Sequence, residues 1–226
     1  MSLSISNNLA QIQQRIQQAA GKVNREAKSI ELLAVSKTKA ANALREAFAA
    51  GQRAFGENYL QEALEKQQAL SDLAIEWHFI GPIQSNKTRD IARQFDWVHS
   101  VDRLKIARRL SEQRPNTLGP LNICLQINLD QEDSKSGLLL SELNALVDAI
   151  AGLPNLSLRG LMAIPAPREN YEQQLASLKR LAVAAGTFPE MDTLSMGMSD
   201  DLEAAIAAGS TIVRVGTAIF GQRDVQ

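Results

Sequence analysis

The sequence has few of the features that mark membrane, secreted or nucleic-acid-binding proteins. Its 226 residues contain one cysteine, Cys124, which excludes an internal disulfide and is typical of a reducing compartment. No apolar run approaches the ~18 residues of a membrane span, and the N-terminus lacks the regions of a signal peptide. The formal net charge is −1, and no basic stripe is present. We therefore expect a cytoplasmic protein that binds neither membranes nor nucleic acid.

Short apolar segments alternate with helical patterns along the whole chain. The segments that predict strands are 31–36, 53–56, 76–80, 96–101, 121–128, 156–164, 193–196 and 210–216. Eight β–α alternations in this length predict an α/β fold, a single (β/α)8 TIM-type barrel over residues 1–226. A doubly wound sheet is disfavoured, because it usually has fewer strands and no G-x-G-x-x-G follows a strand here.

An additional helix is predicted before the first strand. Leu9, Ile12, Ile16 and Val23 lie on one face of this segment, at helical spacing. Few residues follow the last strand, too few for a full closing helix. We expect the N-terminal helix to cover the barrel there.

Lys37 directly follows the first predicted strand, with only Ser36 between it and the apolar run. The active sites of such barrels lie at the C-terminal ends of the strands. A partly desolvated amine loses its proton more easily, and only the neutral form attacks a carbonyl. Lysine also flanks strands for solubility, so Lys37 does not by itself decide between these roles.

The last two predicted strands end in residues suited to holding an anion. Gly216 and Thr217 follow strand eight, where backbone amides can cradle a phosphate. Ser199, after strand seven, can add a hydroxyl. Asp200 and Asp201 are expected in the first turn of the next helix, so we place the phosphate on the Gly216–Thr217 amides with Ser199 at its edge. The alternatives are that Gly216 is a turn and Ser199 a helix cap.

Longer motifs carry a family resemblance over nearly the whole chain. They are LLAVSK (32–37), FGENYLQE (55–62), WHFIGPIQSNK (77–87), SKSG (134–137), GLMAIP (160–165) and LSMGMSDDLEAAIAAGS (194–210). These stretches resemble the YggS/PROSC family, the pyridoxal phosphate homeostasis proteins, which have the barrel of the alanine racemase N-terminal domain. The resemblance implies that pyridoxal 5′-phosphate is the cofactor.

The resemblance also implies roles for individual residues. Lys37 matches the lysine that holds the cofactor as a Schiff base. Ser199, Gly216 and Thr217 match the phosphate binders.

Three further positions follow from the same resemblance. Arg214 matches an arginine that faces the pyridine nitrogen, and Lys135 is a weaker match to a basic residue near the phenolic oxygen. Asn58 is expected to line the ring, with a turn asparagine as the equal alternative.

The resemblance implies holding of the cofactor rather than catalysis. A guanidinium has only donors, so a pyridine nitrogen facing Arg214 stays unprotonated and the ring is a weak electron sink. In the related racemases a tyrosine of a second domain supplies another base, and neither Tyr59 nor Tyr171 is expected to replace it. The expected function is intracellular buffering or delivery of pyridoxal phosphate, without evident efficient catalysis.

Two other functions stay open at this point. One is a racemase-like pyridoxal enzyme of low activity, and the other is a lysine-dependent aldolase whose phosphate grip holds a phosphorylated sugar. Recipient apo-enzymes are the expected partners, and the expected oligomeric state is a monomer. His78 and His99 are expected to be structural or to line the ring, since we find no second ligand at strand or helix spacing to either of them; no metal site is predicted.

Overall fold

A closed parallel barrel forms the centre of the molecule. The computed structural model describes residues 4–131 and 136–222. The strands are β1 (Glu31–Val35), β2 (Ala54–Glu57), β3 (Glu76–Phe79), β4 (Trp97–Val101), β5 (Leu121–Ile127), β6 (Leu156–Ala163), β7 (Thr193–Ser195) and β8 (Ile212–Val215). They pair in sequence order, and β8 pairs with β1 to close the barrel. The predicted (β/α)8 fold is confirmed, and each strand end lies within two residues of its predicted position.

Helices precede β1 and follow the strands. They are α1 (Ile5–Lys22), α2 (Ala41–Ala49), α3 (Leu60–Ala69), α4 (Thr88–Gln94), α5 (Leu104–Gln113), α6 (Leu143–Ile150), α7 (Tyr171–Ala185), α8 (Leu202–Ala208) and α9 (Thr217–Phe220). In the described part of the chain, no helix is both long and apolar enough to cross a membrane.

The N-terminal helix α1 covers the closing edge of the barrel, as predicted. Leu9, Ile12 and Ile16 are buried on one face of α1, which packs against α2, α8 and α9. The Asn8 side-chain amide donates a hydrogen bond to the Ile219 carbonyl oxygen at 2.8 Å. Because α9 is only four residues long, α1 supplies the cover that a longer final helix would give.

Side chains alternate between the inside of the barrel and the layer under the helices. Two small apolar clusters are separate from the large core between strands and helices: Leu33, Ala54, Ile80 and Ile212 with Val35, and Trp97 with Cys124 and Met162. The first cluster contains Leu33 and Val35, which are alternate residues of β1, and Ala54 of β2. Extended past the strand ends, the same alternation predicts that Lys37 and Asn58 point into the barrel.

Candidate functional site

Lys37 lies at the mouth of the barrel, between the ends of β2 and β8. Val35 is in register with Gly56 on β2, and Ala34 is in register with Val215 on β8. Two residues beyond Val35, the half-buried Lys37 therefore lies between the tips of both neighbouring strands. The structure brings the predicted lysine next to the predicted residues of strands two and eight.

Asn58, at the tip of β2, offers an acceptor to the barrel mouth. A Cβ atom at Gly81 would lie 2.1 Å from the Asn58 carbonyl oxygen, so the β3–α4 loop packs directly on this backbone. The Asn58 Oδ1 atom is buried and has no hydrogen-bond partner among residues 4–131 and 136–222. A buried acceptor without a donor is costly, which supports a ligand-facing role over the turn alternative.

Gly216 brings the end of β8 close to β1. A Cβ atom here would lie 3.0 Å from the Val35 carbonyl oxygen, whereas φ is −118°, which any residue adopts. Tight packing, not a left-handed turn, therefore favours glycine at this position. Thr217 is exposed and begins α9, and the first amides of a helix have no acceptor within it. The tip of β8 thus presents backbone N–H donors at the mouth.

Ser199 lies in the β7–α8 loop and is half-buried. Its carbonyl oxygen accepts a hydrogen bond from Arg15 of α1 at 3.0 Å. The expectation that Asp200 and Asp201 form the first turn of α8 is wrong, since the helix begins at Leu202. Asp201 Oδ1 instead accepts a hydrogen bond from the Met198 N–H at 2.6 Å, which closes the loop on itself.

Arg214 is buried inside the barrel, with 4% of its surface exposed. Its Nη1 donates to the Ser195 carbonyl oxygen at 2.6 Å, and its Nη2 donates to the Ala163 carbonyl oxygen at 2.9 Å. Burial lowers the pKa of Arg214 to about 10, so the guanidinium is still charged at neutral pH. Since it has no acceptor, any ligand atom that meets it must accept a hydrogen bond.

A series of hydrogen bonds, the histidine chain, starts at the buried Arg214 and ends at Glu76, whose side chain is 45% exposed. Arg214 Nη1 lies 2.8 Å from Ser195 Oγ, and Ser195 Oγ lies 2.7 Å from His99 Nδ1. His99 Nε2 lies 2.9 Å from His78 Nδ1, and His78 Nε2 lies 2.7 Å from Glu76 Oε1.

The two ends of the histidine chain limit the roles of their neighbours. Arg214 can only donate, and the Glu76 carboxylate can only accept. One arrangement that satisfies every link has Ser195 donating to His99 and each imidazole donating through Nε2. Burial holds the pKa of His99 well below its usual value, which keeps that ring neutral.

The sequence interpretation of His78 was wrong in one respect. Glu76 lies two residues earlier, at strand spacing and on the same face, and forms the hydrogen bond that ends the chain. Ligand atoms of Glu31, Glu76 and His78 also lie within 4.8 Å of one another. The His78 ring stacks on Trp97, with ring centroids 5.5 Å apart.

Lys135 lies outside the described residues. The next residue, Ser136, accepts a hydrogen bond from the Gln126 side chain at 3.1 Å. Gly137 has φ +124°, and a Cβ there would lie 2.7 Å from the Asn128 nitrogen. The described part of the SKSG motif thus packs against the end of β5.

Comparison with known proteins gives consistent matches. The family described as alanine racemase, N-terminal domain, matches residues 7–224. A pyridoxal phosphate homeostasis protein of Pseudomonas aeruginosa is 60% identical over 98% of this chain and 96% of its own length. One of Escherichia coli K12 is 57% identical over 97% of each chain. The structure of PipY from Synechococcus elongatus with PLP bound is 36% identical, with a TM-score of 0.84, over 96% of this chain and 100% of that one.

Proposed function

This chain belongs to the family of the alanine racemase N-terminal domain, together with the pyridoxal phosphate homeostasis proteins, and on this premise we propose that it binds pyridoxal 5′-phosphate through Lys37 and buffers or delivers it inside the cell. When bound, the cofactor supplies an aldehyde that condenses reversibly with a primary amine. Because such an aldehyde reacts with many amines, reversible capture by a protein limits unwanted reactions of the free cofactor.

The residues of the barrel mouth fit this cofactor. Lys37 offers an amine between the tips of two strands, and Asn58 Oδ1 is a buried acceptor for which the described chain provides no donor. The closure of β8 on β1, which brings Gly216 beside the Lys37 strand, is the observation that carries the proposal.

The phosphate is assigned to the strand-eight end of the mouth. The Gly216 and Thr217 amides bind it, and the Ser199 hydroxyl lies at its edge. Asp201, whose pKa is raised by burial, directs Oδ1 to the Met198 amide, so this oxygen is already occupied by a donor. Lys135 is assigned to the neighbourhood of the phenolic oxygen on family resemblance alone.

Arg214 favours binding of the cofactor over catalysis with it. Its charged guanidinium leaves the facing pyridine nitrogen as an acceptor, and an unprotonated ring withdraws electrons weakly. Tyr59 and Tyr171, candidates for a second base, are 53% and 44% exposed. Both observations support storage and transfer of the cofactor to recipient apo-enzymes rather than racemisation.

The proposal is tested by Lys37→Ala, with Lys39→Ala as the matched control. Lys39 is two residues away, and its Nζ donates to the Gln222 carbonyl oxygen at 2.7 Å on the surface. We expect Lys37→Ala to lose the visible absorbance of the bound cofactor and its fixation by borohydride, while Lys39→Ala keeps both. Urea unfolding checks that both variants are folded.

Two results would contradict the proposed function. One is borohydride fixation of the cofactor at another lysine in the wild-type protein. The other is rapid exchange of the alanine α-proton by the loaded protein in deuterated water, which would favour a racemase-like enzyme.

A further inference from the structure

A buried ionic group, the Lys66 cluster, lies beneath the turn that carries Lys37. It consists of Glu57 at the end of β2 and of Glu62 and Lys66 on α3. Lys66 Nζ lies 2.8 Å from Glu57 Oε1 and 2.5 Å from Glu62 Oε1. The Lys66 and Glu57 side chains are 6% and 0% exposed, and Glu62 is 28% exposed. Three ionisable groups are thus held together with little access to water.

The Lys66 cluster holds the backbone on the N-terminal side of Lys37. Lys66 Nζ donates to the Ser36 carbonyl oxygen at 2.7 Å, the carbonyl of the peptide that joins Ser36 to Lys37. Ser36 Oγ donates to Glu57 Oε1 at 2.6 Å. Since side chains alternate along the strand, Ser36 points outward to the cluster and Lys37 points inward.

The cluster also holds the backbone on the C-terminal side of Lys37. The Thr38 N–H, in the peptide that follows Lys37, donates to Glu62 Oε1 at 2.6 Å. Thr38 has φ +63°, in the left-handed region that β-branched residues rarely adopt. The turn therefore needs tertiary contacts to hold it, and Glu62 supplies one at this residue.

From these contacts we infer that Lys66, together with Glu57 and Glu62, is a positioning residue for Lys37. The cluster fixes both peptides that flank Lys37, so that its side chain leaves the turn in one direction, toward the barrel mouth. The inference rests on the proposed role of Lys37 in binding the cofactor aldehyde.

Stability alone does not account for this arrangement. The desolvation of a buried ion pair offsets much of its attraction, and apolar side chains of similar size often stabilise a fold as well. Apolar side chains cannot hydrogen-bond a peptide group, however. Two of the hydrogen bonds described here end on the peptides flanking Lys37, which is the expected property of a positioning device.

The test separates covalent capture from non-covalent binding in the apo-protein. Capture is the rate at which added pyridoxal 5′-phosphate develops the absorbance of the bound form. Non-covalent binding is the affinity for pyridoxine 5′-phosphate, which carries an alcohol in place of the aldehyde. A positioning role affects capture selectively, whereas a general loss of structure affects both.

We expect Lys66→Met and Glu62→Ala to slow capture about tenfold or more, because small displacements of a reacting group cost large factors in rate. The affinity for pyridoxine 5′-phosphate should change by less than about twofold. Glu62→Gln keeps an oxygen for the Thr38 N–H and should capture at nearly the wild-type rate. Lys28→Met, which removes an exposed ion pair with Glu26, is the matched control.

Amide hydrogen exchange in the apo-protein gives a readout that needs no cofactor. The Thr38 amide should exchange about tenfold faster or more in Glu62→Ala than in Glu62→Gln. If Lys66→Met fails to fold, the comparison of Glu62→Ala with Glu62→Gln still tests the positioning role. Glu62 is partly exposed, so we expect both of these variants to fold.

The outcomes distinguish this inference from the proposed function. Wild-type capture by both Lys66→Met and Glu62→Ala would overturn the positioning role, and so would an equal loss of capture and of pyridoxine 5′-phosphate binding. Capture by Lys37→Ala at the wild-type rate would instead overturn the assignment of Lys37 itself.

Discussion

Two largely buried polar systems contact the Lys37 turn and Arg214, and they differ in both charge and extent. The Lys66 cluster, beneath Lys37, is made of ionic groups from neighbouring parts of the chain. The histidine chain, which begins at Arg214, has a neutral imidazole at its centre and draws on β3, β4, β7 and β8. One holds a turn through hydrogen bonds from ionic side chains, and the other orients a guanidinium through a series of hydrogen bonds.

This difference decides what each system loses when one member is removed. Removal of Lys66 leaves the fully buried Glu57 carboxylate without its ammonium partner. Glu57 Oε2 already has no hydrogen-bond partner in the described part of the chain. Removal of the Ser195 hydroxyl takes one hydrogen bond from the neutral His99 ring and one from the Arg214 guanidinium, which keeps its other partners. Loss of one side chain should therefore lower the free energy of unfolding more in the Lys66 cluster than in the histidine chain.

The largest effect on stability is expected from Lys66→Met. An uncompensated buried carboxylate costs about 3–5 kcal/mol, measured as the free energy of unfolding in urea. Adding Glu57→Gln removes that charge, so the double variant should recover part of the loss. If the double variant is less stable than Lys66→Met, the charge explanation is wrong.

Ser195→Ala should have a smaller effect, about 1–3 kcal/mol, because it leaves a buried neutral acceptor on His99 without its donor. Arg214 keeps its bonds to the Ser195 and Ala163 carbonyl oxygens, so it stays partly satisfied. Ser29→Ala, at an exposed serine, is the matched control. If Ser195→Ala lowers the free energy of unfolding more than Lys66→Met does, the expected order of the two systems is wrong.

The smallest expected effect is the pH dependence of the free energy of unfolding, which has opposite signs for His99 and Glu57. The pKa of His99 is lowered by burial, so below about pH 6.5 the unfolded state binds the extra proton and stability falls, by up to about 1.4 kcal/mol per pH unit. The pKa of Glu57 is raised by burial, so its contribution to stability rises as the pH falls toward its unfolded value. Glu57→Gln should therefore make the acid loss steeper.

This prediction is checked by urea unfolding of the wild type and Glu57→Gln at several pH values below neutrality. Stability that rises as the pH falls from 6.5, in both proteins, would contradict the neutral state assigned to His99.

The sequence was sufficient for the fold and for the strand ends at which Lys37, Asn58 and Gly216 lie. Apolar strand patterns located β1 and β8, and strand order then placed Lys37 near Gly216. The first turn of α8 was misplaced, because Asp200 and Asp201 precede the helix and local composition does not fix helix ends.

The supporting systems could not be predicted in the same way. Glu62 and Lys66 are four residues apart on α3, a spacing that usually indicates a solvent-exposed ion pair. Their burial arises from packing of α3 against the Lys37 turn. His99 and Ser195 are 96 positions apart, and no local pattern connects residues so distant. Only Glu76 and His78, two residues apart, gave a signal that could have been recognised.

The distance between His99 and Ser195 has a consequence for assembly of the molecule. The hydrogen bonds described for the Lys37 turn come from β1, β2 and α3, so a short fragment of the chain contains all of those partners. The hydrogen bond between His99 and Ser195 instead connects β4 in the first half of the barrel with β7 in the second half. It forms only once the two halves have met, so Arg214 reaches its final orientation only in the closed barrel.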